Sequence, residues 1–520
     1  MKTLYRGGQV YSPEPFANAM LVDGDTVVWV GADEAAHSYV DVADTVVELH
    51  GSFVAPGFVD SHVHVTSTGL AMVGIDLSNA RSADELLHAV ASCRDAHVLG
   101  HGWDDTSWNA SPTREMLDAV AGDRPVYLSR IDVHSAVVSS ALLRAVPGIE
   151  SMPGYSPDGR VSMEAHHAVR RVALTEIPDE LRSRAMRTAL DAAASVGIVS
   201  LHECGGPDIS GRGDFRDLMA LAQRDDLPEI IGYWGELHAL DAIAELGAYG
   251  LAGDLFVDGS LGSHTACLTS AYTDASTTGA AYLSSDEIGE HIVACTTAGV
   301  QAGFHVIGDE AINKVVAGFA IAARRCGVPA LRSTVHRLEH VELLSPENIA
   351  MLNEFGVLLS MQPVFDELWG GSDGMYVRRL GAQRAEAMNP FADVIRAGVP
   401  LALSSDSPVT PLGPWRAIRA AVEHHTEAQR ISTRAAFNAH TRGGRRAARQ
   451  HDQGVLSPGM KASFAVWRVE DVDVVVPDAR LAQWSTDPRA GVAPLPVLSE
   501  SLPTCLMTVR DGRTLFGGLE

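Results

Sequence analysis

Between residues 181 and 404 the apolar and polar positions repeat one unit: an amphipathic helix, a glycine that stops it, and an apolar strand. The helical spacing of Leu181 to Val196 ends at Gly197, after which Ile198-Val199-Ser200-Leu201-His202-Glu203 reads as a strand. Asp286 to Ala298, Gly299 and Val300 to Val306 repeat the pattern. Ser345 and Pro346 open a helix that Gly356 closes before Val357 to Met361, and Phe391 to Ala397, Gly398 and Val399 to Ser404 give the unit once more. Buried-looking strands separated by helices predict a parallel sheet, and at this chain length a closed barrel is favoured over an open doubly wound sheet. No Gly-x-Gly-x-x-Gly follows any of these strands in the right place, which lowers a nucleotide-binding alternative.

The two ends of the chain have a different rhythm. From Thr3 to Val54 short alternating strands are broken by turns, with Asp23-Gly24-Asp25 as a hairpin signal. Ala462 to Trp467 and Cys505 to Phe516 look the same, with a turn at Arg510-Asp511-Gly512-Arg513. The expected fold is therefore α/β: a (β/α)8 TIM-type barrel over residues 56–444 with a small β-sandwich built from both termini, 1–55 and 445–520.

Composition narrows the function class. A chain of 520 residues has room for a barrel of about 250 residues or more and an added domain. A formal net charge of −25 argues against a nucleic-acid groove or a polybasic membrane contact, both of which need clustered cations. The expected partner is a small-molecule substrate, with no nucleic acid and no membrane. Six cysteines without a Cys-x-x-Cys pair suggest neither a disulfide framework nor a thiolate zinc knuckle. There is no N-terminal signal pattern and no apolar run of the about 20 residues that cross a bilayer, so a cytoplasmic protein is expected, with a homodimer as the commonest closed assembly.

The chemistry starts at Val54 to Val65. Pro56 and Gly57 lead into an apolar strand, and residues two apart on a strand point to one side, so His62 and His64 face together and make half a metal site. The run Pro56-Gly57-Phe58-Val59-Asp60-Ser61-His62-Val63-His64 resembles the first barrel strand of the amidohydrolase superfamily of metal-dependent hydrolases. Asp258-Gly259-Ser260-Leu261-Gly262-Ser263, His305-Val306-Ile307-Gly308-Asp309, Leu338-Glu339-His340 and Ser405-Asp406-Ser407-Pro408-Val409 look like segments of its YtcJ-like branch, related to N-substituted formamide deformylases. They occur in the family's order and span most of the chain.

The resemblance implies a divalent-metal centre, with zinc expected and one or two ions per chain. His62, His64 and Asp406 would hold the more buried ion, and His305 and His340 a second. Many relatives bridge two ions with a carboxylated lysine, but this chain has only Lys2, Lys314 and Lys461, none at a strand mouth. Asp254 stands where YtcJ-like proteins often carry that lysine. Glu203, at the end of the strand through His202, is the first choice for the bridge, and Asp254, read as nearer the start of its strand, is the second. Asp406 is the candidate general base, and His340 or the second ion would polarise the scissile carbonyl.

On the substrate side the resemblance points to Trp103 for stacking and His134 for donation to the carbonyl. It adds Asp258, Ser260 and His264 after one strand and Gln362 after another. Many relatives have Arg where His264 stands. The reaction implied is hydrolysis of a non-peptide amide or N-formyl C–N bond. A deaminase or an esterase or lactonase on the same site is the alternative, and an inactive barrel that only binds ranks lower because all five principal ligands are present. A serine hydrolase is disfavoured by the lack of a Gly-x-Ser-x-Gly elbow.

Overall fold

A computed structural model describes residues 1–520 except 15, 106–107, 131–134, 176, 208, 474–492, 499–500 and 520. The chain divides into two compact units, Met1–His64 with Asp191–Glu520, and Val65–Leu190.

In the first unit eight strands hydrogen-bond in one parallel sheet: β1 Phe58–Val63, β2 Ile198–Gly205, β3 Glu229–Trp234, β4 Gly250–Leu251, β5 Gln301–Val306, β6 Arg337–His340, β7 Leu358–Met361 and β8 Leu401–Leu403. The sheet closes where the backbone beyond β8 returns to β1, through Asp406 N–H to the His62 carbonyl and His64 N–H to the Ser407 carbonyl. Every residue of β2 is buried, as expected of a strand with helices on one side and the barrel interior on the other. The crossovers are set by local chemistry. Ser284 and Glu287 form a reciprocal capping box at the start of Ser285–Ala298, and left-handed Gly299 ends that helix just before β5. Ser345 caps Pro346–Phe355, which left-handed Gly356 stops before β7. Gly197, at φ 76°, admits the Trp467 ring where a Cβ would stand 2.2 Å from it. That ring packs against Phe58 of β1 and so seats the terminal β domain on the barrel.

Among the described residues the terminal stretches form two larger sheets and a two-stranded ribbon of Val472–Asp473 with Leu495–Pro496. One larger sheet orders Thr26–Gly31, Ala19–Asp23, Lys2–Arg6 and Thr45–Glu48, and the other Gln9–Val10, Phe53–Pro56, Phe464–Arg468, Thr504–Arg510 and Arg513–Gly517. Their inner faces share one core, in which Tyr5, Met20 and Val27 meet Phe464, Val466 and Val509.

The second unit is inserted between β1 and β2. It carries its own five-stranded sheet, ordered Arg160–Ser162, Ser135–Val138, Val126–Arg130, Val98–Trp103 and Ile75–Asp76. The stretch 56–444 is thus not one continuous barrel, and the strand ending at Trp103 belongs to this inserted sheet rather than to the barrel. Among the described residues no helix is long and apolar enough to cross a membrane.

Candidate metal centre

Parallel strands deliver their carboxyl ends to one rim, and in a barrel that rim is where side chains from distant sequence converge. His62 and His64 come from the end of β1, His305 from β5, His340 from the last residue of β6, and Asp406 from the turn after β8. Asp254 follows Gly253 just beyond the two-residue β4, so it stands past the carboxyl end of its strand rather than near its start.

Asp254 is the hub. Its Oδ1 lies 3.4 Å from His62 Nε2, 3.5 Å from His305 Nδ1 and 4.0 Å from His340 Nε2. Its Oδ2 lies 3.2 Å from His64 Nε2. Asp406 Oδ1 stands 3.4 Å from His62 Nε2 and 3.3 Å from His64 Nε2. His62, His64 and Asp406 make one group with metal-ligand spacing, and His62, Asp254 and His340 another.

Three observations show that this donor set fits a divalent cation. His62 Nε2, His305 Nδ1, His340 Nε2 and Asp254 Oδ1 are all buried without a hydrogen-bond partner, although buried polar atoms are normally satisfied. Their separations match donors around one ion, since ligands bound tetrahedrally at about 2.1 Å stand about 3.4 Å apart. Finally, the pocket attracts positive charge. Burial opposes protonation of His64 and His340, yet Asp254 and Asp406 lift His64 well above its ordinary pKa and His340 to about 9. Burial likewise favours neutral Asp254, but the surrounding imidazoles hold it well below the carboxylate range. His340 and Asp406 have positive φ, 69° and 56°, a left-handed backbone that costs a non-glycine residue about 1–2 kcal/mol and is often found at functional sites.

The ligand rings are oriented from behind. His62 Nδ1 pairs with Glu339 Oε2 at 2.9 Å and His340 Nδ1 with Gln362 Oε1 at 2.9 Å, so in each ring the other nitrogen faces the centre. Burial alone would raise Glu339, but the adjacent Arg337 guanidinium holds it at about 2. Asp60, pushed up to about 6 by burial, accepts the Ser405 and His62 backbone N–H groups and ties β1 to the turn that carries Asp406.

Several expectations change. Glu203 belongs to neither ligand group. His202 faces Arg337 in the barrel interior, and Cys204 groups with His62 and Glu339, so strand alternation turns the intervening Glu203 to the opposite side. The central carboxylate is Asp254. Trp103 is a core residue of the second unit, 2% exposed, with its Nε1 donating to the Leu128 carbonyl at 2.9 Å, which leaves no face for a substrate. Asp258 is fully buried and accepts backbone N–H groups of Cys267, Ile307 and Gly308, so it fastens the loop after β4 to the end of β5. Gln362 is 1% exposed and serves His340 instead of the rim. His264 pairs with Asp274 at 3.0 Å, and the Ser260 hydroxyl lies 3.0 Å from that of Ser263, both on the loop after β4. His134 lies outside the described residues.

Glu339 and Arg337 are supporting residues outside the ligand pattern, and the sequence carries a signal for them. Opposite charges two apart on a strand share a face, and within Arg337-Leu338-Glu339-His340 that face also leads inward to the site.

Four imidazoles and two carboxylates gathered at the carboxyl rim of a parallel eight-stranded barrel define a metal-dependent hydrolase of the TIM-barrel class. Residues 45–516 match the model of the amidohydrolase family, and the chain belongs to that family. It is 27% identical to the putative amidohydrolase YtcJ of Bacillus subtilis over 81% of this chain and 84% of the relative. It is 24% identical to N-substituted formamide deformylase of Arthrobacter pascens over 90% and 93%. A crystal structure of an uncharacterized metal-dependent hydrolase from Pyrococcus furiosus superposes with a TM-score of 0.78 at 27% identity, covering 90% of this chain and 98% of that one.

Proposed function

We propose that the protein hydrolyses a non-peptide amide or N-formyl C–N bond of a small molecule, using a divalent metal centre that we take to be zinc. The observation that carries this reading is the convergence on Asp254 of four imidazoles, each of which leaves a buried nitrogen without a hydrogen-bond partner. His62, His64 and Asp406 would hold one ion, and His305 and His340 a second, with Asp254 shared between them. A bound divalent ion supplies an acidified water, with a pKa brought from 15.7 towards about 7, and polarisation of the substrate carbonyl.

The chain's own residues do the rest. Asp406 is 7% exposed with its Oδ1 set between the two β1 histidines, and its carboxylate would take a proton from the attacking water. The same carboxyl returns that proton to the leaving nitrogen, a step that an amide needs because an unprotonated amide anion is a poor leaving group. Glu339 and Gln362 keep the His62 and His340 rings fixed throughout.

The likeness to a formamide deformylase supports an N-substituted formamide as the first substrate to try. The test is a panel of N-substituted formamides and acetamides, amino-substituted heterocycles and lactones, assayed with the zinc-loaded protein for formate, amine, ammonia and acid release. Amine and formate release supports the proposal. Turnover confined to ammonia release from rings, or to lactones, would replace it with a deaminase or esterase on the same site, and binding without turnover would replace it with a binding barrel.

A further inference from the structure

Behind the imidazoles, in the barrel interior, stands Arg337, whose donors are almost fully engaged. Arg337 is completely buried. Its Nε donates to Glu339 Oε1 at 2.6 Å and its Nη2 to Glu339 Oε2 at 2.9 Å, a two-pronged grip on one carboxylate. Nη2 also donates to the Ser61 carbonyl of β1, Nη1 donates to His202 Nδ1 of β2 at 3.1 Å, and the guanidinium lies 4.3 Å over the Tyr233 ring of β3. One side chain from β6 therefore spans the barrel interior to three other strands. Glu339 completes the connection by accepting the His62 Nδ1 hydrogen at 2.9 Å.

We infer that Arg337 is a positioning residue of the metal centre: through Glu339 it holds the His62 ring with hydrogen on Nδ1 and with Nε2 aimed at Asp254 and Asp406. Glu339 can turn His62 only if its own carboxylate plane is fixed, and the two parallel bonds from Arg337 fix that plane. The grip on Ser61 places the backbone immediately before His62 under the same control. Lysine would preserve the charge but not this geometry, because an ammonium has no planar fork and cannot reach Glu339, Ser61 and His202 together. The contrast with His340 is informative, since its orienting partner is the neutral amide of Gln362. Orientation by a fixed, ionised carboxylate also makes the far ring nitrogen a better electron donor.

This inference rests on the metal-centre reading above, and the test separates the two. Wild type, Arg337→Lys, Glu339→Gln and the double variant are purified with zinc, and zinc affinity is measured by competition with a chromophoric chelator. The Co2+-substituted proteins are compared by visible absorption. Arg445→Lys, which perturbs a part-buried pair with Glu229 at the start of β3, is the control for general destabilisation. We expect each of the two single variants to weaken zinc by about 10–100-fold and to shift the Co2+ bands, the double variant to be no worse than the weaker single one, and Arg445→Lys to change neither. Additive losses in the double variant would show that Arg337 does not act through Glu339 and would overturn the inference, as would wild-type affinity and an unshifted spectrum in Arg337→Lys. If Arg337→Lys does not fold, Glu339→Gln alone decides the matter, because wild-type affinity and spectrum in that variant remove the link to His62. Wild-type protein that takes up neither zinc nor cobalt overturns the metal-centre reading and this inference together.

Discussion

At the residue scale the informative position is Asp254. A carboxylate set among four imidazoles has the charge and the two oxygens to be shared by two ions, and it needs no modification to do so. With all three lysines remote from the centre, assembly of the site is expected to be independent of bicarbonate. Asp254→Ala should lower the zinc content measured by elemental analysis, with the His305 and His340 side losing its ion, and should abolish turnover. Glu203→Gln should keep the zinc content of the wild type, and a loss of zinc there would reinstate Glu203 as a ligand. Asp406→Asn removes the proton acceptor as well as one anionic donor. A drop in kcat of about 100- to 10,000-fold is expected from loss of the base alone, and near-normal kcat would dismiss Asp406 from that role.

The element scale explains what could be read from the sequence and what could not. Helices closed by Gly197, Gly299 and Gly356 appear where the periodicity and the stop signals place them, and the histidines and Asp406 lie at strand ends as the spacing predicts. β4 is invisible to such reading because two residues, Gly250–Leu251, carry no period. That is why Asp254 looked like the beginning of a strand when it stands beyond the end of one. The inserted sheet escaped for another reason: local pattern shows that Val98–Trp103 is a strand but not which sheet it joins, since partners are fixed by contacts distant in sequence. Glu203 shows how strand alternation decides a side: adjacent residues on a strand face opposite ways, and the contact of His202 with Arg337 turns Glu203 the other way. Packing within the second unit gives a sharp prediction. Gly69, in the helix Val65–Val73, lies so close to the helix Asp179–Ser195 that a Cβ would stand 1.8 Å from the Ala185 carbonyl oxygen. Gly69→Ala must push the helices apart and should cost at least about 1–3 kcal/mol, seen as a lower thermal midpoint. Gly213→Ala, in the helix Gly211–Leu221 with nothing within 4 Å of the added carbon, should raise the midpoint by the equivalent of about 0.5–1 kcal/mol. Equal shifts in the two variants would show that helix propensity, not packing, governs both.

At the scale of the whole molecule, buried neutral histidines couple the barrel to pH. His291 and His336 each use Nδ1 to accept a backbone N–H, from His238 and from Ala302, while Nε2 reaches the Leu251 carbonyl in one case and the Thr296 hydroxyl in the other. His440 bonds to the Val59 carbonyl of β1. These rings fasten helices and strands of the barrel to one another, and burial depresses their pKa values to about 4, 3 and 4 respectively. The unfolded chain binds protons at about 6.5, so the folded state binds them later and stability rises with pH across the interval. The contribution is complete above about pH 6.5 and is lost progressively as the pH falls towards the folded values. At pH 5 each ring has given up about 2 kcal/mol, and three together approach the whole stability of an ordinary domain. Protonation of ordinary histidines lowers the formal charge of −25 over the same interval, but that relief of self-repulsion acts between exposed charges that salt screens and does not cancel the loss at the three buried rings. The thermal midpoint should therefore fall between pH 7 and pH 5, and it should do so in chelator-treated protein as well, which separates the effect from protonation of the metal ligands. His336→Gln keeps polar atoms at the site but cannot titrate, and although less stable at pH 7 it should lose about 2 kcal/mol less than the wild type over the same interval. Parallel pH dependence in the two proteins would show that the acid sensitivity arises elsewhere.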